Sequence, residues 1–278
     1  MLQNLQASMG CSFDMYTPEE IETFKADSFN SSVGNLNEDD GYDCAICKNK
    51  GLIMRAVCRE DGTWSTVARD CKCKSVRNTI RKMRRSGLKD IIHDYTFPKF
   101  EATEKWQKSI KAAAEDFARL PDGWFFIGGQ SGCGKTHICT AICREFLLAG
   151  KSVQYMLWRD DIVKLKSAVT ESDEYERLIE MYKTVDVLYI DDLFKTGKTV
   201  DGIKQRPTPA DINAAFEILN YRYNDKRLVT IISSECTIND ILDIDESVGG
   251  RIFERAKKPI SIGYDKSKNY RLRGAVEL

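Results

Sequence analysis

The sequence predicts an α/β fold in which a parallel sheet is flanked by helices and preceded by a small cysteine-rich module. Three observations carry this prediction. From Trp124 onward, short β-rich runs alternate with helical patterns, the arrangement of a parallel sheet covered on both faces. The glycine-rich stretch GGQSGCGKTH, residues 128–137, sits directly behind the first of those runs. Two closely spaced cysteine pairs, Cys44–Cys47 and Cys71–Cys73, lie upstream of both.

A chain of 278 residues holds one large or two modest domains, with enough length for a sizeable core. Charged residues make up 30% and hydrophobic residues 42%, a globular composition. No apolar run approaches the roughly 18 residues that cross a bilayer, so no membrane association is expected. The opening MLQNLQASMGCSFDMYTPEE has neither a basic start nor an apolar core, unlike a secretory signal. Ten cysteines in such a chain point to a reducing compartment, the cytoplasm, where thiols bind metal or pack. The net charge of zero hides an asymmetry. Residues 1–43 carry nine acidic side chains and one basic, whereas residues 72–89 carry eight basic and none acidic, a distribution that bears on partners.

In chain order, Thr17-Pro18-Glu19-Glu20 starts a helix, with threonine as N-cap, proline at the first position and glutamate completing a capping box. This helix is expected to reach about Asp27 with Ile21 and Phe24 on one side. Residues 28–41, rich in Ser, Asn, Gly and Asp, have the composition of a flexible linker. Residues 1–43 therefore form an acidic arm and linker. A second region, 44–95, begins at the cysteines. Between the two pairs, LIMRAVC and TWSTVA flank the turn REDG and are expected to pair as a hairpin. Knuckle, hairpin and knuckle make a zinc-ribbon-like layout, with Cys44, Cys47, Cys71 and Cys73 closing a tetrahedral structural Zn²⁺ site. Cys58, in mid-hairpin, is expected to pack, as are Cys11, Cys133, Cys139, Cys143 and Cys236. The helix KSVRNTIRKMRRSGL follows. Its Val76, Ile80 and Met83 share one face, and Arg77, Arg81, Arg84 and Arg85 another, up to a stop at Ser86-Gly87. Such a basic face suits phosphates or an acidic protein surface, or is simply solvated.

The third region, 96–278, carries the sheet. Strands are expected at 124–127, 152–157, 185–190, 228–233 and 259–263, with helices notably at 136–148, 210–224 and 240–255. Gly129-x4-Gly134-Lys135-Thr136 is the full phosphate-binding loop pattern. Its chemistry needs glycines so that successive backbone N–H groups converge on phosphates. The candidate nucleotide-binding residues are Gly129, Gln130, Ser131, Gly132, Cys133, Gly134, Lys135, Thr136 and His137. Lys135 adds a charge, Thr136 a hydroxyl for Mg²⁺, and the following helix its positive end. In VDVLYIDDLF, Asp191 is the candidate Mg²⁺ partner and Asp192 the residue that orients an attacking water. LVTIISSE ends in Ser233, Ser234 and Glu235, and Ser234 is the candidate sensor of a γ-phosphate. In GGRIFER, Arg251 and Arg255 are spaced i, i+4 on one helical face. Arg251 is the candidate for an arginine reaching a neighbouring subunit's nucleotide.

These segments together, from the cysteine pairs and RRSGL through YTFPKF, GGQSGCGKTH, VLYIDDLF, NYRYNDKRLVTIISSE and VGGRIFERA, resemble the replicative helicase loaders of the DnaC/DnaI type and the related IstB-like AAA+ ATPases. The resemblance covers about residues 44–264. It implies an AAA+ P-loop core that binds and slowly hydrolyses ATP, stimulated by assembly or single-stranded DNA. It also implies a bacterial or phage-encoded protein that self-associates through its ATPase domain, binds single-stranded DNA and docks on a hexameric replicative helicase. Lys135 and Thr136 become Walker A residues, Asp191 and Asp192 Walker B residues, and Arg251 a finger acting in trans. The family's threonine-serine-asparagine sensor is replaced by Ser233-Ser234-Glu235, and Arg271 is the candidate left for a second sensor. Alternatives within reach of the same loop are an IstB-like transposition accessory ATPase, an ATP-regulated DNA-binding protein and a small-molecule phosphoryl transferase. The tandem acids, Arg251 and the cysteine module argue against the last.

Overall fold

A computed structural model of the chain describes residues 16–85, 93–196, 199–200 and 203–272. Cys11 and the helix stop at Ser86-Gly87 lie outside the described residues. The chain divides into two compact units, Met1–Arg77 and Asn78–Leu278.

The first unit opens with α1 (Pro18–Ser31), capped as its sequence requires: the Glu20 N–H donates to Thr17 Oγ1 and the Thr17 N–H to Glu20 Oε2. The helix runs four residues past Asp27 and is followed by α2 (Leu36–Asp40). Most of the segment expected as a linker is therefore helical. The reason is tertiary. Asn30 receives the Met54 N–H and donates to the Met54 carbonyl, at 3.0 and 2.9 Å, docking α1 along the hairpin of β1 (Leu52–Cys58) and β2 (Trp64–Asp70). Ala26 rather than Phe24 faces inward, and Phe24 is exposed. The two strands pair antiparallel over their whole length, Leu52 opposite Asp70 and Cys58 opposite Trp64. Helix α3 (Cys73–Arg85) straddles the division between units. Val76, Ile80 and Met83 are buried, but so is Arg77, which leaves the expected basic face.

The second unit contains α4 (Lys105–Arg119), β3 (Trp124–Gly129), α5 (Lys135–Leu148), β4 (Val153–Leu157), α6 (Trp158–Ala168), α7 (Ser172–Thr184) and β5 (Val187–Leu193). The short strands β6 (Thr199–Val200) and β7 (Ile203–Lys204) precede α8 (Pro209–Asn224), β8 (Val229–Ser234), α9 (Ile238–Ile244), α10 (Glu246–Ala256) and β9 (Ile260–Ile262). Among the described residues the main sheet has five parallel strands in the order β4-β5-β8-β3-β9. Every residue of β3 is buried, consistent with a strand covered on both faces. Trp124, Phe126, Ile190, Ile218, Ile232 and Ile252 belong to one continuous apolar core. The single helix expected at 240–255 is two. Asp245 is extended (φ −156°) and its side chain accepts the Val248 N–H at 2.8 Å, so it ends α9 and caps α10. The order of strands brings the C-terminal ends of β3, β5 and β8 side by side, which is where a ligand binds in an open α/β sheet.

Candidate functional site

Residues 129–136 turn from β3 into α5. Gly129 and Gly132 adopt left-handed backbone, φ 128° and 78°. A Cβ on Gly129 would lie 2.1 Å from the Ile262 carbonyl oxygen, and one on Gly132 would lie 2.0 Å from Asn269 Oδ1. Only glycine fits at both positions. Lys135 is buried, and its ammonium donates to the carbonyls of Gly129 and Gln130 at 2.8 Å each. Beside this loop opens a cleft of about 640 Å³ lined by Lys135, Thr136, Asp191, Asp192, Lys195 and Glu235, large enough for a nucleotide.

The acidic wall comes from the end of β5. Asp191 is 4% exposed. It accepts from Tyr155 Oη at 3.0 Å, from Thr136 Oγ1 at 3.4 Å and from the Ser233 hydroxyl. Burial, and then the Asp192 charge beside it, raise the Asp191 carboxyl above the ordinary carboxylate range. A divalent cation between Thr136 and Asp191 would supply the missing countercharge, so these two donors fit Mg²⁺. Asp192 bonds through its N–H to Ser233 Oγ at 3.1 Å and through its carboxylate to Lys195 at 2.8 Å.

Ser234 does not face the cleft. It is fully buried, donating to the Leu193 carbonyl at 2.6 Å and accepting the Cys236 N–H at 3.0 Å. The polar groups that β8 offers to the acidic wall are Ser233 and, just past the strand, Glu235. Side chains alternate along a strand, so an expectation placed one residue off lands on the wrong face.

Other cleft residues come from outside the recognised motifs. Tyr95 and Phe100 pack edge-on against His137 with ring centroids 5.4 and 5.5 Å away, while His137 Nε2 contacts the Thr96 carbonyl at 3.0 Å. These rings give the cleft an apolar side suited to a base. The C-terminal segment straps the loop. Gln130 pairs with the Asp265 backbone, Tyr270 N–H donates to the Gly132 carbonyl at 2.8 Å, and Arg271 Nη1 lies 3.4 Å from Ser131 Oγ. Arg271 thus joins the cleft. Cys133 donates to the Gln130 carbonyl at 3.0 Å.

Arg251 lies outside this cleft. Its guanidinium stacks 4.6 Å from the Phe216 ring centroid and bonds to Asn220 Oδ1 and the Ser247 carbonyl. Arg255 is buried over Trp124 and donates to the Tyr223 carbonyl, so it packs the core. Of the basic residues after β5, Lys195 is held by Asp192 and Glu235, while Arg206 lines a second cleft with Arg159 and Lys166.

In the first unit, Cys44, Cys47, Cys71 and Cys73 are all buried with sulfurs within 4.8 Å of one another. Cys44 and Cys71 are 3.8 Å apart, Cys47 and Cys73 3.5 Å. Sulfurs at the corners of a tetrahedron around zinc are about 3.8 Å apart, given Zn–S bonds near 2.3 Å, so the cluster fits such an ion. Although burial alone would raise it, Cys47 is drawn down to about 7 by the Gly51 N–H and the neighbouring thiols. Around the cluster, buried Arg77 pairs with Asp40, donates to Asn49 at 3.0 Å and stacks on Tyr42, while Asn49 receives the Cys44 N–H at 2.8 Å. Cys58 is exposed and outside the cluster.

The family model of the IstB-like ATP-binding proteins matches residues 64–272. The chain belongs to this family. It is 30% identical to the Bacillus subtilis protein YqaM, covering 83% of this chain and 86% of that one, and 31% identical to the Bacillus subtilis phage-like element PBSX protein XkdC, covering 84% and 87%. Similarity to the Escherichia coli replicative helicase loader DnaC is 30% identity over 117 residues, 41% of this chain and 48% of DnaC. Among solved structures, the DnaC helicase loader aligns with a TM-score of 0.51 at 18% identity, over 63% of this chain and 98% of that one. The likeness is one of fold: an AAA+ α/β domain of the DnaC/IstB type. Among the described residues no helix is long and apolar enough to cross a membrane.

Proposed function

We propose that this protein is an ATP-hydrolysing loader that places a hexameric replicative helicase on single-stranded DNA. The observation that carries the ATPase part is the convergence of Lys135, Thr136, Asp191 and Asp192 on one cleft. In this reading the backbone N–H groups of the loop and Lys135 bind the phosphates, with the apolar side at Tyr95 and Phe100 against the base. Thr136 and Asp191 hold Mg²⁺, which neutralises developing phosphate charge. Ser233 fixes the orientation of Asp191, and Asp192 aligns the attacking water. Arg271 contributes a positive charge at the loop from the same chain. Arg251, outside its own cleft, serves a neighbour's nucleotide when subunits assemble, and the four thiolates hold structural Zn²⁺. Contact with DNA falls to the basic segment after β5, with Arg206 and the residues around it.

The loader role is supported by the likeness to DnaC and by a cysteine unit that precedes the ATPase unit along the chain. The IstB-like family membership favours a second reading, an accessory ATPase of transposition. Mixing the protein with a candidate hexameric helicase and ATP, then measuring complex mass, tests the choice. A loader forms a defined complex that is lost with Lys135→Ala, whereas a transposition ATPase leaves the helicase free. ATPase activity is expected to rise with protein concentration. Arg251→Ala and Lys135→Ala proteins, each inactive, should regain activity when mixed. Absence of recovery where they co-assemble removes the trans assignment.

A further inference from the structure

The end of β5 departs from regular strand geometry. Asp192 and Phe194 have left-handed backbone, φ 59° and 61°, although neither is glycine. The pairing of β5 with β8 slips between Ile190 and Leu193. Such backbone persists only where its surroundings over-determine it, and it clusters at functional sites. Here it sends Phe194 into the core against Trp158, with ring centroids 5.6 Å apart, and returns Lys195 to the cleft. The Lys195 ammonium lies 2.8 Å from Asp192 Oδ2 and 3.1 Å from Glu235 Oε1. The turn is closed by the Lys195 N–H on the Asp192 carbonyl at 2.9 Å.

We propose that Lys195 is a positioning residue that restrains Asp192, sharing its ammonium between Asp192 and Glu235 so that the water-orienting carboxylate is engaged until the ammonium is drawn away. This inference rests on the reading of Asp192 given above. A competitor enters the same cleft: a bound nucleoside triphosphate presents a charged terminal phosphate. Lys195 lies against two carboxylates, however, so the ammonium is only partly drawn away and the restraint persists in the nucleotide-bound state that kcat reports. Glu235 sets the strength of the restraint, because it takes part of the lysine's charge away from Asp192. Basal hydrolysis is thereby kept slow by the fold's own residues, in line with a protein that uses nucleotide state as a switch.

Steady-state hydrolysis of Mg-ATP by the full chain tests this. Lys195→Met keeps the side chain's length and removes its charge. It is expected to raise kcat about fivefold, the factor that corresponds to an ion pair of ordinary partly exposed strength, with KM within about twofold of the parent. Glu235→Gln commits Lys195 to Asp192 alone and is expected to lower kcat about two- to threefold. A purely structural Lys195 would not give opposite signs in the two variants. A Lys195→Met protein with parental melting temperature and kcat at or below the parent overturns the proposal. If that variant does not fold, Glu235→Gln decides, and an unchanged or raised kcat overturns it. Asp192→Asn separates the two layers: loss of turnover with retained ATP binding upholds the underlying reading whatever Lys195 does, and parental turnover removes both.

Discussion

The four thiols of the first unit come from residues 44–73, whereas the cleft of the second gathers groups from Tyr95 to Arg271. The cleft stands on a sheet whose core is apolar and continuous, with β3 and most of β5 fully enclosed. In the cysteine unit the hairpin strands contain only half-buried and exposed positions. Its buried residues are largely the four cysteines and the polar set Asp40, Asn49 and Arg77. Chemical groups in the cleft can therefore be removed without unfolding their unit. In the cysteine unit the functional groups and the core are the same atoms.

The sharpest break of that comparison is metal removal. Zinc bound to four thiolates contributes on the order of 10 kcal/mol to the folding of small metal modules, and this unit has little apolar burial with which to replace it. We expect about one zinc per chain by elemental analysis, given one cluster of four thiols. Chelator should abolish the structure of residues 18–77 while leaving ATP binding and the melting of the second unit in place. A chelated protein whose amide exchange is unchanged across residues 44–73 would show that the thiols pack without metal.

Arg77 probes the same unit without replacing any of the four cysteines: its guanidinium hydrogen-bonds the Cys73 sulfur. Its buried pair with Asp40 sits beside the cluster, and truncating one partner leaves a buried charge alone, at about 3–5 kcal/mol. Arg77→Leu should destabilise the first unit and lower metal affinity by roughly 10- to 100-fold, read by competition with a colorimetric chelator. The double variant Arg77→Leu, Asp40→Leu should recover part of the loss, because neither charge is then stranded.

A smaller effect separates the two serines at the end of β8. Ser233→Ala removes the hydroxyl that bonds both Asp191 and the Asp192 N–H. At about 1–1.5 kcal/mol for such a bond, turnover should fall roughly tenfold with ATP binding retained. Ser234→Ala removes bonds to the Leu193 carbonyl and Cys236 N–H and should cost stability more than turnover. The opposite result would restore the expectation drawn from sequence.

That pair marks the limit of what the sequence made legible. The glycine loop, the tandem aspartates and the cysteine spacing are local patterns whose chemistry is written in adjacent residues. The alternation of strands and helices made the sheet legible in the same way, and so did the cap at Thr17. Features set by distant contacts were not legible. Whether Ser233 or Ser234 turns toward Asp191 depends on the register of β8 against β5, which slips at Ile190/Leu193. Helical order over residues 28–31 depends on Asn30 meeting Met54, and the burial of Arg77 on Asp40 arriving from a separate helix. Asp245 reads equally well as a residue within a helix or as the cap that divides two. Arg271 had no motif to announce it, and its approach to Ser131 follows from the path of residues 265–270 over the loop.

Tyr270 gives the smallest and most local test of the cleft's side of the comparison. Its backbone N–H holds the Gly132 carbonyl, while its hydroxyl donates to the Glu101 carbonyl at 2.7 Å and receives the Gln107 amide. One residue thus ties the phosphate loop to the segment that carries Tyr95 and Phe100 and to α4. Tyr270→Phe keeps the ring and the backbone bond but leaves buried Gln107 without that acceptor and the Glu101 carbonyl without that donor. The loss should be about 1 kcal/mol, and it should appear in two places. The second unit should melt a few degrees lower, since 1 kcal/mol shifts a domain of this size by about 2–4 °C. ATP affinity should fall by about threefold to fivefold, because a strap freed at its outer end no longer holds Gly132 and Arg271 in the geometry that receives phosphate. Metal content of the first unit should not change. A Tyr270→Phe protein with lowered melting temperature but parental ATP affinity would mean that the strap supports the fold alone and that the loop keeps its shape through Gly129, Gly132 and Lys135 without it.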